Sequence, residues 1–167
     1  MLIGVVSDTH GYLDHRLLTA FRSVEAIVHA GDVGSVDVLE GLGQLAPLFA
    51  VRGNNDEAAG GLGLPECLDI TLADLRLQVV HELPQARPEP ETRVVIFGHS
   101  HRQVAEWRDG ILYLNPGAAG RVGFHPLQTA ALLQVEGGAT RVELLELGPR
   151  QKRLQPKRPA AIGTKLS

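Results

Sequence analysis

Leu2-Ile3-Gly4-Val5-Val6-Ser7-Asp8-Thr9-His10 sets a short apolar run directly against an acid and an imidazole. Five apolar residues are too few for a helix, and the polar residues that follow bound the run. It reads as a buried first strand whose end delivers Asp8 and His10. Beyond it, Leu13, Leu17, Leu18, Phe21 and Val24 recur at helical spacing, and residues 26–30 form a second apolar run. Ser35 is placed to N-cap a helix reaching Leu45, and residues 48–51 give a third strand. Strand, helix, strand, helix, strand in that order requires crossover connections, hence a parallel sheet with helices against it.

The second half follows a different rule. Cys67–Leu72 and Leu75–Val80 flank the two residues Ala73-Asp74, a hairpin signal, and further strands are expected at 93–97, 103–107 and 111–114. Residues 129–135 and 140–147 bracket the Gly137-Gly138 turn. The stretch 84–91 carries Pro84, Pro88 and Pro90 and is read as a loop, not a helix. The sum is an α/β chain with two sheets face to face.

Length and composition agree with one domain. The chain has 167 residues, 44% of them hydrophobic, and a single cysteine, Cys67, so no internal disulfide can form. No basic leader precedes the first strand and no apolar run is long enough to span a bilayer, so a soluble, cytoplasmic protein is expected. The net charge of −3 hides an asymmetry. Arg150, Lys152, Arg153, Lys157, Arg158 and Lys165 leave 10 basic residues against 19 acidic ones in residues 1–149. Residues 1–149 are taken as the domain and 150–167 as a basic, flexible tail. A body this acidic disfavours generic nucleic-acid binding, though the tail could hold an anionic partner.

Metal-capable side chains fall almost without exception just after a predicted strand. Asp8 and His10 follow the first, Asp32 the second and Asn54 the third; His81 ends the hairpin, and His99 and His101 follow Val94-Val95-Ile96-Phe97. Ligands of open α/β sheets sit at the carboxyl ends of strands, so these five loops should meet at one crevice. Seven oxygen and nitrogen donors exceed the needs of one ion with an open position and suit two ions ~3.5–4 Å apart, with Asp32 as the shared carboxylate. Carboxylate, amide and imidazole without thiolate suit Mn, Fe, Zn, Co or Ni and argue against Ca or a cysteine-type structural zinc site; the donor set does not select among the five, and Mn is the expectation.

The segments Asp8-Thr9-His10, Gly31-Asp32, Gly53-Asn54-Asn55-Asp56, His81, Gly98-His99-Ser100-His101 and Asn115-Pro116-Gly117-Ala118 together resemble the calcineurin-like metallophosphoesterases, in that family's order. Among them the chain is most similar to the short bacterial and archaeal branch of single-domain phosphodiesterases. The resemblance implies a four-layer αββα sandwich of two mixed β-sheets flanked by helices. It implies that Asp8, His10, Asp32 and His101 hold one divalent ion and that Asp32, Asn54, His81 and His99 hold the other. It also implies hydrolysis of a small phosphate ester by a hydroxide bridging the two, with Asp8, His10, Asp32, Asn54 and His99 positioning the reacting groups.

Two departures bear on activity. Many relatives carry a histidine where this chain has Asn55, and an amide cannot protonate a leaving alkoxide, so diesters or activated esters are favoured over ordinary monoesters. Glu82-Leu83-Pro84 replaces the glycine expected after His81, and the proline-rich segment stands where relatives carry a helix, so one cleft wall should be lower. The alternatives are a non-catalytic scaffold on the same fold and a nuclease using the basic tail. His29 reads as a hydrogen-bonded core residue, His15 and His125 as surface, Asp56 as an orienter, and Arg52 and Arg121 as phosphate contacts or surface groups. Asn115 to Ala118 read as a rigid turn, and Trp107 as a core or interface aromatic that could support a homo-oligomer.

Overall fold

The computed structural model describes residues 1–56 and 62–151. Residues 152–167, most of the predicted tail, lie outside the described residues.

Two five-stranded sheets pack face to face. The first holds β1 (Leu2–Val6), β2 (Ala26–His29), β3 (Leu48–Ala50), β9 (Leu127–Glu136) and β10 (Ala139–Pro149), in the order β10-β9-β1-β2-β3. β1, β2 and β3 run parallel, joined through α1 (His15–Ala20) and α2 (Val36–Gly43), while β9 pairs antiparallel with β1 and β10 with β9. The second holds β4 (Cys67–Leu72), β5 (Leu75–Val80), β6 (Val94–Ile96), β7 (Gln103–Arg108) and β8 (Ile111–Pro116), in the order β4-β5-β6-β8-β7. β5, β6 and β8 are parallel, with β4 and β7 as antiparallel edges.

Period-two patterning fills the space between the sheets. Ile3, Val5 and Val28 of the first meet Leu77, Val79, Val94, Ile96 and Leu114 of the second, all fully buried. The opposite face of the first sheet, with Val6 and Ile27, packs on Leu17 and Phe21 at α1 and Val38 and Leu42 of α2. β1 and β2 are thus covered on both faces, which is why they read as unbroken apolar runs. On the outer face of the second sheet Gln78 is 2% exposed, accepts from the Arg87 N–H at 2.7 Å and donates to the Arg87 carbonyl at 3.0 Å. The proline-rich segment therefore lies over β5 as a reduced fourth layer.

Several expectations need adjustment. The helical pattern from 13 to 24 yields only six residues of helix, capped by Asp14, whose carboxylate accepts from the Arg16 N–H at 2.8 Å. Ser35 occupies the N-cap position of α2 but makes no side-chain cap bond. Leu83–Gln85 forms one 3-10 turn inside the predicted loop, with Pro84 near its start, where a missing N–H costs nothing. Trp107 is not a core residue: it stands 60% exposed on the edge strand β7. No described helix is long and apolar enough to cross a membrane.

Candidate metal centre

The loops leaving β1, β2, β3, β5 and β6 meet at one end of the two sheets. Main-chain bonds register the first two: Asp8 N–H donates to the Gly31 carbonyl at 3.0 Å, His10 N–H to Asp32 at 3.0 Å and Gly11 N–H to Val33 at 2.8 Å. Asp56 stitches in the third, its carboxylate accepting from Val33 N–H at 3.2 Å and from Gly34 and Gly53 N–H at 2.8 Å each. Two glycines permit the close approach. A Cβ at Gly53 would collide with the Asp32 carboxylate, and one at Gly98 with the Ser7 hydroxyl and the Asp8 carboxylate. Asn115 supports the loop after β6, its amide donating to the Gly98 carbonyl at 2.8 Å.

The structure brings all seven sequence-selected donors together. His101 Nε2 lies 3.1 Å from Asp8 Oδ1, and His10 Nε2 lies 4.0 Å from Asp8 Oδ1 and 3.9 Å from Asp32 Oδ2. On the other side His81 Nε2 is 3.5 Å from Asp32 Oδ2 and 3.1 Å from Asn54 Oδ1, which lies 3.2 Å from His99 Nδ1. Asp32 Oδ2 thus faces an imidazole from each half. Donor atoms of Asp8, His10 and His101, and of Asp8, Asp32 and His81, lie within 4.8 Å of one another.

Hydrogen bonding prepares these groups to take a cation. His81 Nδ1 sits 2.7 Å from the Ala30 carbonyl, which can only accept, so Nδ1 carries a hydrogen and Nε2 points at Asp32 and Asn54. Burial would lower this ring's pKa, but the Asp32 carboxylate and the Ala30 carbonyl raise it above its ordinary value. A positive charge, proton or metal, is therefore favoured at Nε2. Burial would likewise raise the Asp32 carboxyl, yet the bonds from His81 and Asn55 hold it well below the usual carboxylate range. Burial lowers His10 against the pull of Asp32 and Asp8, which keeps the ring neutral with a lone pair available. Asp8 Oδ1 and His10 Nε2 are buried with no hydrogen-bond partner. Orphaned donors of this kind fit a divalent ion.

The remaining candidates fall into place around the cluster. Asn55 donates to Asp32 from both its backbone N–H, at 2.9 Å, and its amide, at 2.6 Å. Glu82 lines a cleft of about 190 Å³ beside Asn54 and His81, together with the ion pair Arg52–Glu66. Arg121 stacks its guanidinium 3.8 Å from the centre of the Tyr12 ring. His29 is fully buried at 2.9 Å from the Thr9 hydroxyl, which itself donates to the Val33 carbonyl; the ring therefore donates from Nε2. His15 and His125 are exposed. The sequence did not single out Tyr12, Phe124 or the structural use of Arg150, because no periodicity or donor pattern marks them.

The profile of the calcineurin-like phosphoesterase superfamily domain matches residues 1–138. The chain is 34% identical over 152 residues to a protein of Methanocaldococcus jannaschii named as a probable metallophosphoesterase, covering 81% of this chain and 77% of that one. Its fold is similar to that of an archaeal phosphodiesterase, with TM-score 0.71 and 28% identity, over 87% of this chain and 100% of the other. The Zn-complexed Vps29 of Entamoeba histolytica shares the fold at 20% identity and TM-score 0.68, over 89% of this chain and 100% of that one.

Proposed function

The chain belongs to the calcineurin-like phosphoesterase superfamily and is a metal-dependent phosphoesterase; within that class, we propose that it is a two-metal phosphodiesterase. In this reading Asp8, His10, Asp32 and His101 hold one divalent transition ion and Asp32, Asn54, His81 and His99 the other, with Mn the preferred metal and Fe, Co, Ni or Zn as alternatives. The observation that carries it is the convergence of seven donors from five loops on both sheets, with His10 Nε2 buried without a hydrogen-bond partner and Asp8 Oδ1 buried facing the imidazoles of His10 and His101. Two such ions, when bound, would activate a water as nucleophile and stabilise the charge on the phosphoryl oxygens.

The residues around the cluster favour a diester. Asn55 is committed to both oxygens of Asp32 and has no proton to give a leaving oxygen, so the leaving group must depart as an anion or take its proton from solvent. Glu82 adds a carboxylate to the cleft wall beside His81, which repels a dianionic monoester more than a monoanionic diester. None of the seven donors is replaced, which favours catalysis over a purely scaffolding role.

The test uses metal-stripped protein resupplied with Mn, Ni, Co, Zn or Mg, acting on an activated aryl phosphodiester and the matching monoester. Metal-dependent turnover favouring the diester is expected; turnover favouring the monoester would overturn the diester reading. The nuclease reading is tested by truncation after Gln151. Arg150 must stay, because its guanidinium donates to the carbonyls of Gly120, Val122, His125 and Leu127. A salt-sensitive loss confined to polynucleotides is the result that would support a role for the tail.

A further inference from the structure

Phe21, Phe49 and Phe97 are buried or half-buried, but the fourth phenylalanine, Phe124, is 94% exposed. Its position is not that of a stray surface residue. The ring centroid lies 6.0 Å from that of His101, tilted by 39°, on the side of the cluster that carries Asp8 and His10.

The loop that displays it is fastened at both ends. Arg121, at its start, stacks on Tyr12, which follows the Asp8-Thr9-His10 segment. Arg150, beyond its end, reaches back under the apex and spends its guanidinium on four main-chain carbonyls of residues 120–127, while its N–H donates to Pro126 at 2.7 Å. Gly123 makes room for that guanidinium, since a Cβ there would lie 2.7 Å from Arg150 Nη2. A half-buried cation is thus used, through its bonds to main-chain carbonyls, to fix a loop whose apex presents an aromatic face to water. Such a face held beside a phosphate site is placed to stack on an aromatic group that the phosphate carries.

We propose that Phe124 is a specificity residue: the platform on which the base of a nucleoside-like phosphodiester stacks. The inference rests on the phosphodiesterase reading above. One ring stacked on a base is worth roughly 10- to 100-fold in affinity. The groove beside the ring, about 420 Å³ and bordered by Arg121, His125, Pro126 and Arg150, gives the rest of such a group a place to lie.

Two diesters with the same p-nitrophenolate leaving group test this: the thymidine 5′-ester and the methyl ester. Wild type should favour the nucleoside ester by about 10-fold or more in kcat/KM, expressed mainly in KM. Phe124→Ala should collapse that ratio toward one, and Phe124→Trp should restore it. A merely structural role would change both esters together and leave the ratio intact, which would overturn the proposal. Binding gives a readout apart from turnover: thymidine 5′-phosphate should bind the metal-loaded protein about 10-fold more tightly than inorganic phosphate, and Phe124→Ala should erase the difference. If neither diester is cleaved the phosphodiesterase reading fails, and the two binding constants then decide the role of Phe124 separately: equal constants in wild type overturn it.

Discussion

Among the described residues, eight that are not glycine adopt a left-handed backbone, and they fall into two regions with different reasons for it. Ala73, Asp74 and Asp109 sit in the turns of the β4–β5 and β7–β8 hairpins; Asp8, His10, Asp32, His99 and His101 carry five of the seven donor side chains. Left-handed φ costs a side-chain-bearing residue roughly 1–2 kcal/mol. In the hairpins the turn geometry itself demands positive φ, and the ladder on either side offsets the cost. At the cluster no ladder makes such a demand. The loops turn sharply so that Asp8 with His10, and His99 with His101, two apart in sequence, can both face one point. Strain in the turns is a matter of residue choice and can be removed; strain in the ligand loops belongs to the arrangement of the donors and goes only with them.

The largest effect expected from that difference is at Asp32. Asp32→Ala removes the one carboxylate oxygen that faces an imidazole from each half, and metal-dependent turnover should fall by roughly 10³-fold or more. A variant retaining a tenth of wild-type activity would refute the shared-carboxylate role. Next is the metal itself: in the reading proposed above, divalent ions that bind only the folded chain would offset the strain of these loops. At a free concentration ~1,000-fold above Kd, stripping should lower stability by about 4 kcal/mol per site. Denaturation with and without metal measures the gap, which should shrink in Asp32→Ala.

A buried base beneath the cluster separates strain from ionisation. Burial pushes the His29 ring down to about 4 from its ordinary 6.5. Between those values the unfolded chain holds the proton and the folded chain does not. The stabilisation is therefore complete above pH 6.5 and lost as pH falls toward 4, by about 3 kcal/mol. In stripped protein, His29→Gln should show a shallower loss than wild type across that window. Parallel slopes for the two proteins would mean that His29 does not titrate this way.

Much of this was legible because strand ends, not contacts, announce the donors. The bounds of β1, β4 and β5 match the apolar runs residue for residue, and each donor stands within a few residues of such an end. Legibility failed where tertiary placement decides. Trp107 has an ordinary strand pattern around it, but β7 is an edge with only β8 beside it, so the ring stays in water. Asp14 caps α1 because the chain turns there first, although Leu13 already fits the apolar spacing. Arg150 looks like the first residue of a charged tail, and only the folded loop reveals four carbonyls waiting for it.

The smallest prediction probes the other side of the comparison. Ala73 at φ 48° and Asp74 at φ 63° join Leu72 and Leu75, which pair across the hairpin, so both central residues hold positive φ in a two-residue turn. Asn followed by Gly is the sequence this geometry prefers, and Ala73→Asn with Asp74→Gly should stabilise the protein by about 1 kcal/mol, or ~2–4 °C in Tm. The gain is modest because glycine also frees the unfolded chain. His81 follows directly on Val80, which pairs with Cys67 at the other end of the same hairpin, the full length of β5 away from the turn. Relief of turn strain should therefore leave kcat/KM and the metal-dependent gap in stability unchanged. If the double variant altered either, the hairpin would be coupled to the donor loops, and the division between removable and functional strain would not hold.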